Sequence, residues 1–256
     1  MKNQTIFLLL VLFASSLACQ LLFPSRTGTV ISDCPDIMAA VGDIQPGDIP
    51  DHLLETGTKR GDEFDVNQYF DVLAHVSMRA GYALDYVYQS DSLGAFPLLY
   101  ARPADQASYA SIVDIPENTP LPDFHEYLEI EDVEQGYFEY VILDIMANQF
   151  YLSWHANYND TGIVCNRGDV NDIISSINYG GFGNELNLAQ QTKARAMQNI
   201  EPVVSLTGDV ANVQVITFTK WGGFYRLTYT ISREVPHTIV DVKQENLVPY
   251  DCGVMF

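Results

Sequence analysis

Two apolar-alternating runs, residues 213–221 and 224–231, meet at Gly222-Gly223 and constrain the fold more than any other stretch. Side chains of a strand alternate between its two faces. A glycine pair supplies the positive φ angles that a tight two-residue hairpin turn requires. Read with that turn, Ile216, Phe218, Tyr225, Leu227, Tyr229 and Ile231 share one face, and Thr217, Thr219, Arg226, Thr228 and Thr230 share the other. One side is packed and one side is wet. Trp221 falls at the tip, placed either for contact with a partner or for cross-strand packing on Phe224.

Similar patterns recur upstream. Tyr82, Leu84, Tyr86 and Tyr88 alternate, and Ser90-Asp91-Ser92-Leu93-Gly94 turns the chain into residues 96–102. A third hairpin is expected from residues 138–146 against 149–158, turning at Ala147-Asn148. It would pair Ile145 with Phe150, Leu143 with Leu152 and Val141 with Trp154 on a core face. Helices are expected in three places. Asp65 caps a stretch carrying Val66, Tyr69, Phe70 and Leu73 that stops at Gly81, with His75 on its solvent side. Residues 169–177 and 184–197 are the other two, the latter capped by Asn184. Residues 103–135 are proline-rich and acidic and read as irregular, with one short helix near residues 124–128. A last strand follows Pro236 at residues 238–242. Hairpins interspersed with helices, without βαβ alternation, give an α+β fold of mainly antiparallel sheet with about three helices packed on one face.

Charge narrows the partners. The chain has 13 Lys and Arg against 33 Asp and Glu, and a net charge of −20. Polyanions bind clustered Lys and Arg through displaced counterions, so this balance excludes nucleic acid and anionic lipid surfaces as partners. A hydrophobic content of 47% excludes a disordered chain.

Lys2, the apolar run Ile6-Phe7-Leu8-Leu9-Leu10-Val11-Leu12-Phe13 and Ser16-Leu17-Ala18-Cys19 have the layout of an export signal. The last four residues resemble the lipobox of bacterial lipoproteins. That resemblance implies cleavage after Ala18, lipid attachment at Cys19, and a domain held outside the cytoplasm by an N-terminal lipid in the membrane. Simple secretion, or an uncleaved anchor over residues 6–23, would also place the domain outside. The expected organisation is a signal peptide at 1–18, a lipid-attachment site and short linker at 19–36, and a single domain at 37–256. An exported domain with Cys34, Cys165 and Cys252 can close at most one internal bridge. Three pairings are open, and Cys165–Cys252 is favoured because Cys34 lies near the tether.

The expected 138–158 hairpin also sets the candidate site. Its outer face carries Tyr140, Tyr151, Ser153, His155 and Asn157, a polar set suited to a small ligand. Asp144 shares that face. The residue opposite His155 is four positions from Asp144, about 13 Å along a strand, too far for a catalytic pair. Cys165 with His155 would be the nucleophile and base of a small envelope hydrolase. Asn157, Asn159, Thr161 and Gly162 imitate the start of a calcium loop, but Gly168 stands where a bidentate Glu is required. His125-Glu126 lacks the second His of a zinc helix, and Gly180-Gly181-Phe182-Gly183 lacks the Lys of a phosphate loop. No Gly-x-Ser-x-Gly and no Cys-x-x-Cys occurs. The sequence therefore points to a non-enzymatic binding or accessory domain for a small molecule or an envelope protein, with no cofactor and no metal. The hydrolase is the alternative.

Overall fold

The computed structural model describes residues 28–91, 94–154, 161–180 and 183–254. The expected export signal and Cys19 lie outside the described residues, as do His155 and Asn157. Among the described residues no helix is long and apolar enough to cross a membrane.

The fold is α+β, and every strand pairing within the described residues is antiparallel. The main sheet runs β1 (Thr29–Val30), β8 (Val203–Thr207), β9 (Val210–Thr219), β10 (Gly223–Ser232) and β11 (Ile239–Pro249), with β7 (Thr161–Val164) beside the far end of β9. A second sheet joins β3 (Tyr82–Asp91), β4 (Gly94–Pro103) and β6 (Ser153–Trp154), and β2 (Val76–Met78) pairs with β5 (Leu128–Ile130). The helices are α1 (Cys34–Ile44), α2 (Asp51–Thr56), α3 (Tyr69–Val72), α4 (Glu134–Met146), α5 (Arg167–Tyr179) and α6 (Leu188–Arg195).

The final hairpin forms, but in a different register. Thr219 pairs with Gly223 and Phe218 with Phe224, leaving residues 220–222 as a three-residue loop. Gly223 has φ +88°, and a Cβ there would collide with the Val248 carbonyl on β11. The shift by an odd number of positions splits the expected apolar face in two. Val213, Val215, Tyr229 and Ile231 belong to one core, while Ile216, Phe218, Phe224 and Val248 belong to another. The Phe218 and Phe224 rings lie 4.8 Å apart, so Phe224 packs on Phe218 across the strands. Both faces of the sheet therefore carry buried apolar side chains, while β11 is exposed over most of its length. The large core contains α4, the smaller one contains Val170 and Ile174 of α5 and Ala194 of α6. Helices cover both faces, not one.

Residues 138–146 are helical, not the strand of a hairpin. From Gly136 to Leu143 every residue of α4 is buried, including Glu139 at 3% exposure. A helix buried on all sides has no polar stripe, so apolar periodicity cannot separate it from a buried strand. Gly136 allows the close approach, since a Cβ there would collide with the Glu131 carbonyl. Glu139 accepts from the His75 backbone N–H at 2.7 Å and pairs with its Nδ1 at 2.8 Å. That contact ends the expected helix of residues 65–81 early. Asp65 does cap it, accepting from Asn67 N at 2.9 Å, but the helix stops at Val72, and His75, with its side chain 34% exposed, lies beyond its end.

Residues 28–36 of the expected linker are part of the fold. Thr29 and Val30 pair with Val204 and Val203, and Cys34 opens α1 fully buried, with Pro35 in the first turn. Proline is well suited to that position, so the Pro signal that suggested a linker marks a helix start. Cys34 bridges Cys165, and Cys252 is buried and unpaired, which overturns the Cys165–Cys252 pairing. Helix α6 begins four residues later than expected, because Asn187 and Gln190 form a reciprocal capping pair. Asn184 instead donates its N–H to the Cys252 carbonyl and holds the C-terminal strand of chain.

Candidate functional site

The expected ligand face does not assemble. Tyr140 sits inside α4, fully buried, and donates its hydroxyl to the His237 carbonyl at 3.1 Å. Tyr151 is 6% exposed, accepts from Phe64 N at 3.2 Å, and offers its carbonyl to the Tyr88 hydroxyl at 2.7 Å. Ser153 pairs with Ala95 at the end of the β3–β4 sheet. Once 138–146 coils, its side chains no longer share a strand face with those of 149–158. Cys165 is bridged to Cys34 and has no thiol to offer a substrate.

A different cluster forms between β3, β4 and the loop after α2. Asp85 pairs across β3–β4 with Tyr100, so Arg102, two residues on, is its diagonal neighbour on the same face. Arg102 Nε lies 2.7 Å from Asp85 Oδ2. Lys59 Nζ approaches Asp85 Oδ1 at 2.7 Å and donates to Ser108 Oγ at 2.8 Å. The Tyr86 N–H completes the carboxylate at 2.7 Å. Burial alone would raise the Asp85 pKa, yet the hydrogen bonds and charge of Lys59 outweigh it and hold the carboxyl below the usual range. Asp85 is charged in the fold, although only 7% exposed.

The loop is locked from its other side. Glu63 accepts from Arg60 N at 2.5 Å and Gly61 N at 2.8 Å, and pairs with His52 Nε2 at 2.5 Å. His52, Asp62 and Glu63 bring one potential metal ligand each within 4.8 Å of one another. Both Glu63 oxygens are already committed to backbone donors, so this trio serves as the latch of the loop. Asn67 pairs with the backbone of Leu84 through both amide atoms, at 2.9 and 3.0 Å. The latched loop and the sheet enclose a cavity of about 540 Å³, walled by Lys59, Arg60, Glu63, Asp85, Tyr86 and Arg102.

Tyr86 is the unusual member. It is 2% exposed, its ring carries Lys59 Nζ at 4.5 Å from the centroid, and its hydroxyl has no hydrogen-bond partner. Buried hydroxyls in folded proteins are paired as a rule. Burial, and then the nearby Tyr151, Glu63 and Asp85, push its pKa well up, so it stays a neutral donor. Sequence reasoning placed Tyr86 on the strand but passed over Asp85, an acid set between two buried residues of an alternating run. Asp85 falls at the opposite phase of that alternation, where a polar residue is ordinary, so no local signal set it apart.

A smaller cavity of about 290 Å³ lies beside His125 and Asp144. His125 Nδ1 is 2.7 Å from Asp123 and Nε2 is 3.1 Å from Asp144, whose other oxygen accepts from the Tyr229 hydroxyl at 2.9 Å. Both ring nitrogens are engaged, so His125 is a cationic clamp between carboxylates and has no free nitrogen to act as a base. Burial lowers its pKa, but Asp144 and Asp123 outweigh that and raise it above 6.5. A raised folded value means the clamp stabilises fully below the unfolded pKa and is lost as pH rises through the folded one. His125→Gln should therefore cost about 1–2 kcal/mol in urea unfolding at pH 5.5 and clearly less at pH 8.5. Equal costs at both pH values would refute the clamp.

No protein-family model matches this chain, and neither the curated proteins nor the solved structures contain a match.

Proposed function

We propose that this protein is an exported lipoprotein, tethered through Cys19, whose domain binds a small polar molecule in the Lys59–Asp85–Arg102 cavity without transforming it. One observation carries the reading: Tyr86, whose buried hydroxyl has no partner, is among the residues that wall a cavity whose charged groups are held in place. A volume of about 540 Å³ is within the range of small-molecule sites. The latch and the ion-paired triad pre-form the walls, so little ordering cost falls on binding. The hydrolase alternative loses its nucleophile to the Cys34–Cys165 bridge. Membrane attachment is supported by the lipobox-like segment, and the acidic surface keeps anionic lipids and nucleic acids from acting as further partners.

Two measurements test the proposal. Cys19→Ser should move the protein from the membrane fraction to the soluble one, and retention in the membrane would end the lipid reading. Tyr86→Phe removes a hydroxyl that is unpaired in the free protein, so it should leave stability unchanged or raise it by about 1 kcal/mol. A loss of stability greater than that would show the hydroxyl to be a structural bond and remove the observation on which the site rests.

A further inference from the structure

We propose that the protein associates with a second copy of itself by antiparallel pairing of β11 with β11, about a two-fold axis through Val242. Strand β11 closes one edge of the main sheet, and among the described residues it pairs only with β10. It runs for 11 residues, and every residue from Val240 to Asn246 is exposed. The free side of such a strand presents unpaired N–H and C=O groups, a template for a further strand. Val240 and Val242 stand there at 62% and 43% exposure. Lysines and bulges are the usual protection of an edge. Here the register with β10 shifts between Thr230 and Ile231 and between Phe224 and Tyr225, which confines regular pairing to residues 241–246. Lys243 lies inside that stretch, so a copy adds only where this charge is answered.

Symmetry leaves few choices. Paired residues of antiparallel strands point to the same face, so the axis must pass through a residue rather than between two. Centred on Lys243, the pairing sets Lys243 on its own copy and Asp241 opposite Glu245, like charge against like. Centred on Val242, it sets Asp241 opposite the Lys243 of the second copy, twice. Neither side chain makes an ion pair with a described residue, so both charges are available. Val242 then meets its own copy on the other face, the one it shares with the buried Tyr229. Centred on Gln244, Lys243 would meet Glu245, but Glu245 already holds Arg226 at 3.1 Å, and Val242 would face Asn246. The net charge of −20 does not forbid the contact, because β10 and β11 together hold two bases, Arg226 and Lys243, against two acids, Asp241 and Glu245. Repulsion from more distant acids is screened over about 8 Å at physiological ionic strength.

Sedimentation equilibrium of the intact protein up to about 1 mM tests this, since a single strand pair lies at the weak end of specific contacts. The expected result is a reversible monomer–dimer equilibrium. Asp241→Lys or Lys243→Asp alone should weaken the dimer about fivefold or more, and the two together should restore it. Unchanged unfolding midpoints establish that each variant folds. Cysteine linkage locates the axis. Facing residues stand about 4.5–5.5 Å apart between Cα atoms, within disulfide reach, so oxidised Val242→Cys should join two copies. Gln244→Cys stands about 13 Å from its own copy in that register and should not. The wild type, whose one free thiol among the described residues is the buried Cys252, gives the background. A protein monomeric across the whole range, a dimer indifferent to both charge reversals, or linkage through Gln244→Cys in preference to Val242→Cys overturns the proposal.

Discussion

Replacing Cys34 and Cys165 together by Ser is expected to lower the unfolding free energy by about 4–5 kcal/mol. The bridge spans 131 residues of sequence and joins the start of α1 to the residue after β7. Closing a loop of that length removes much of the freedom of the unfolded chain, and the gain grows only slowly beyond about a hundred residues. Both cysteines are buried, at 0% and 3% exposure, in the larger core, so native packing holds them in place even when unbridged. For a domain of this size, 4–5 kcal/mol corresponds to a fall of roughly 10–20 °C in Tm. Urea unfolding with and without reductant checks it: the wild type should lose stability on reduction and the double variant should not respond. Cys252→Ser gives the control. That thiol lies in the smaller core and has no disulfide partner, so its substitution should leave the reductant response intact. A wild type indifferent to reductant would mean that the bridge contributes nothing to stability.

The same bridge shows where the sequence was legible and where it was not. Short-range signals were read well. The hairpin of β3 and β4 forms as the tyrosine alternation suggests, although Ser90, Asp91 and Gly94, expected in the turn, belong to its strands. Asp65 caps a helical turn, and α5 covers residues 169–177. Long-range partners left no local trace. Nothing in Ser32-Asp33-Cys34-Pro35 shows that Cys34 meets a cysteine 131 positions away, because that meeting depends on β1 pairing with β8.

The candidate site failed for a related reason. Its geometry hung on residues 138–146 being a strand, and α4 is apolar enough all round to fit either period. The hairpin at residues 213–231 failed more narrowly, by the length and place of its turn, since the loop is residues 220–222 and Gly223 sits in the strand opposite Pro249. One residue of loop decided which core each aromatic entered. The cavity groups Lys59, Asp85 and Arg102 come from three separate segments, and no local pattern pointed toward them, since Asp85 sits where the strand's alternation allows a polar residue.

Asp85→Ala is expected to cost about 3–5 kcal/mol, because it strands two cations that the fold has already desolvated. The Lys59 and Arg102 side chains are only 11% and 20% exposed, so neither recovers full hydration when the carboxylate is lost. The pH dependence carries a definite sign. The folded pKa of Asp85 is depressed, so its contribution is present above the unfolded value, near 3.9, and is lost as pH falls through the folded one. Wild type and Asp85→Ala should therefore differ most at neutral pH and draw together in strong acid. Urea unfolding at pH 7 and pH 3 measures both points, and a gap that stays constant across that range would contradict the assignment. A triple replacement, Lys59→Met with Asp85→Leu and Arg102→Met, separates structure from function. Buried ion clusters exchanged for apolar side chains of similar volume are often neutral or stabilising, so the triple variant should recover most of what Asp85→Ala loses. If the triad were present for stability alone, the apolar version would be an adequate substitute in every respect. The cavity reading requires instead that the triple variant fold well and lose the binding of small polar molecules, since the charged groups that wall the cavity have been removed.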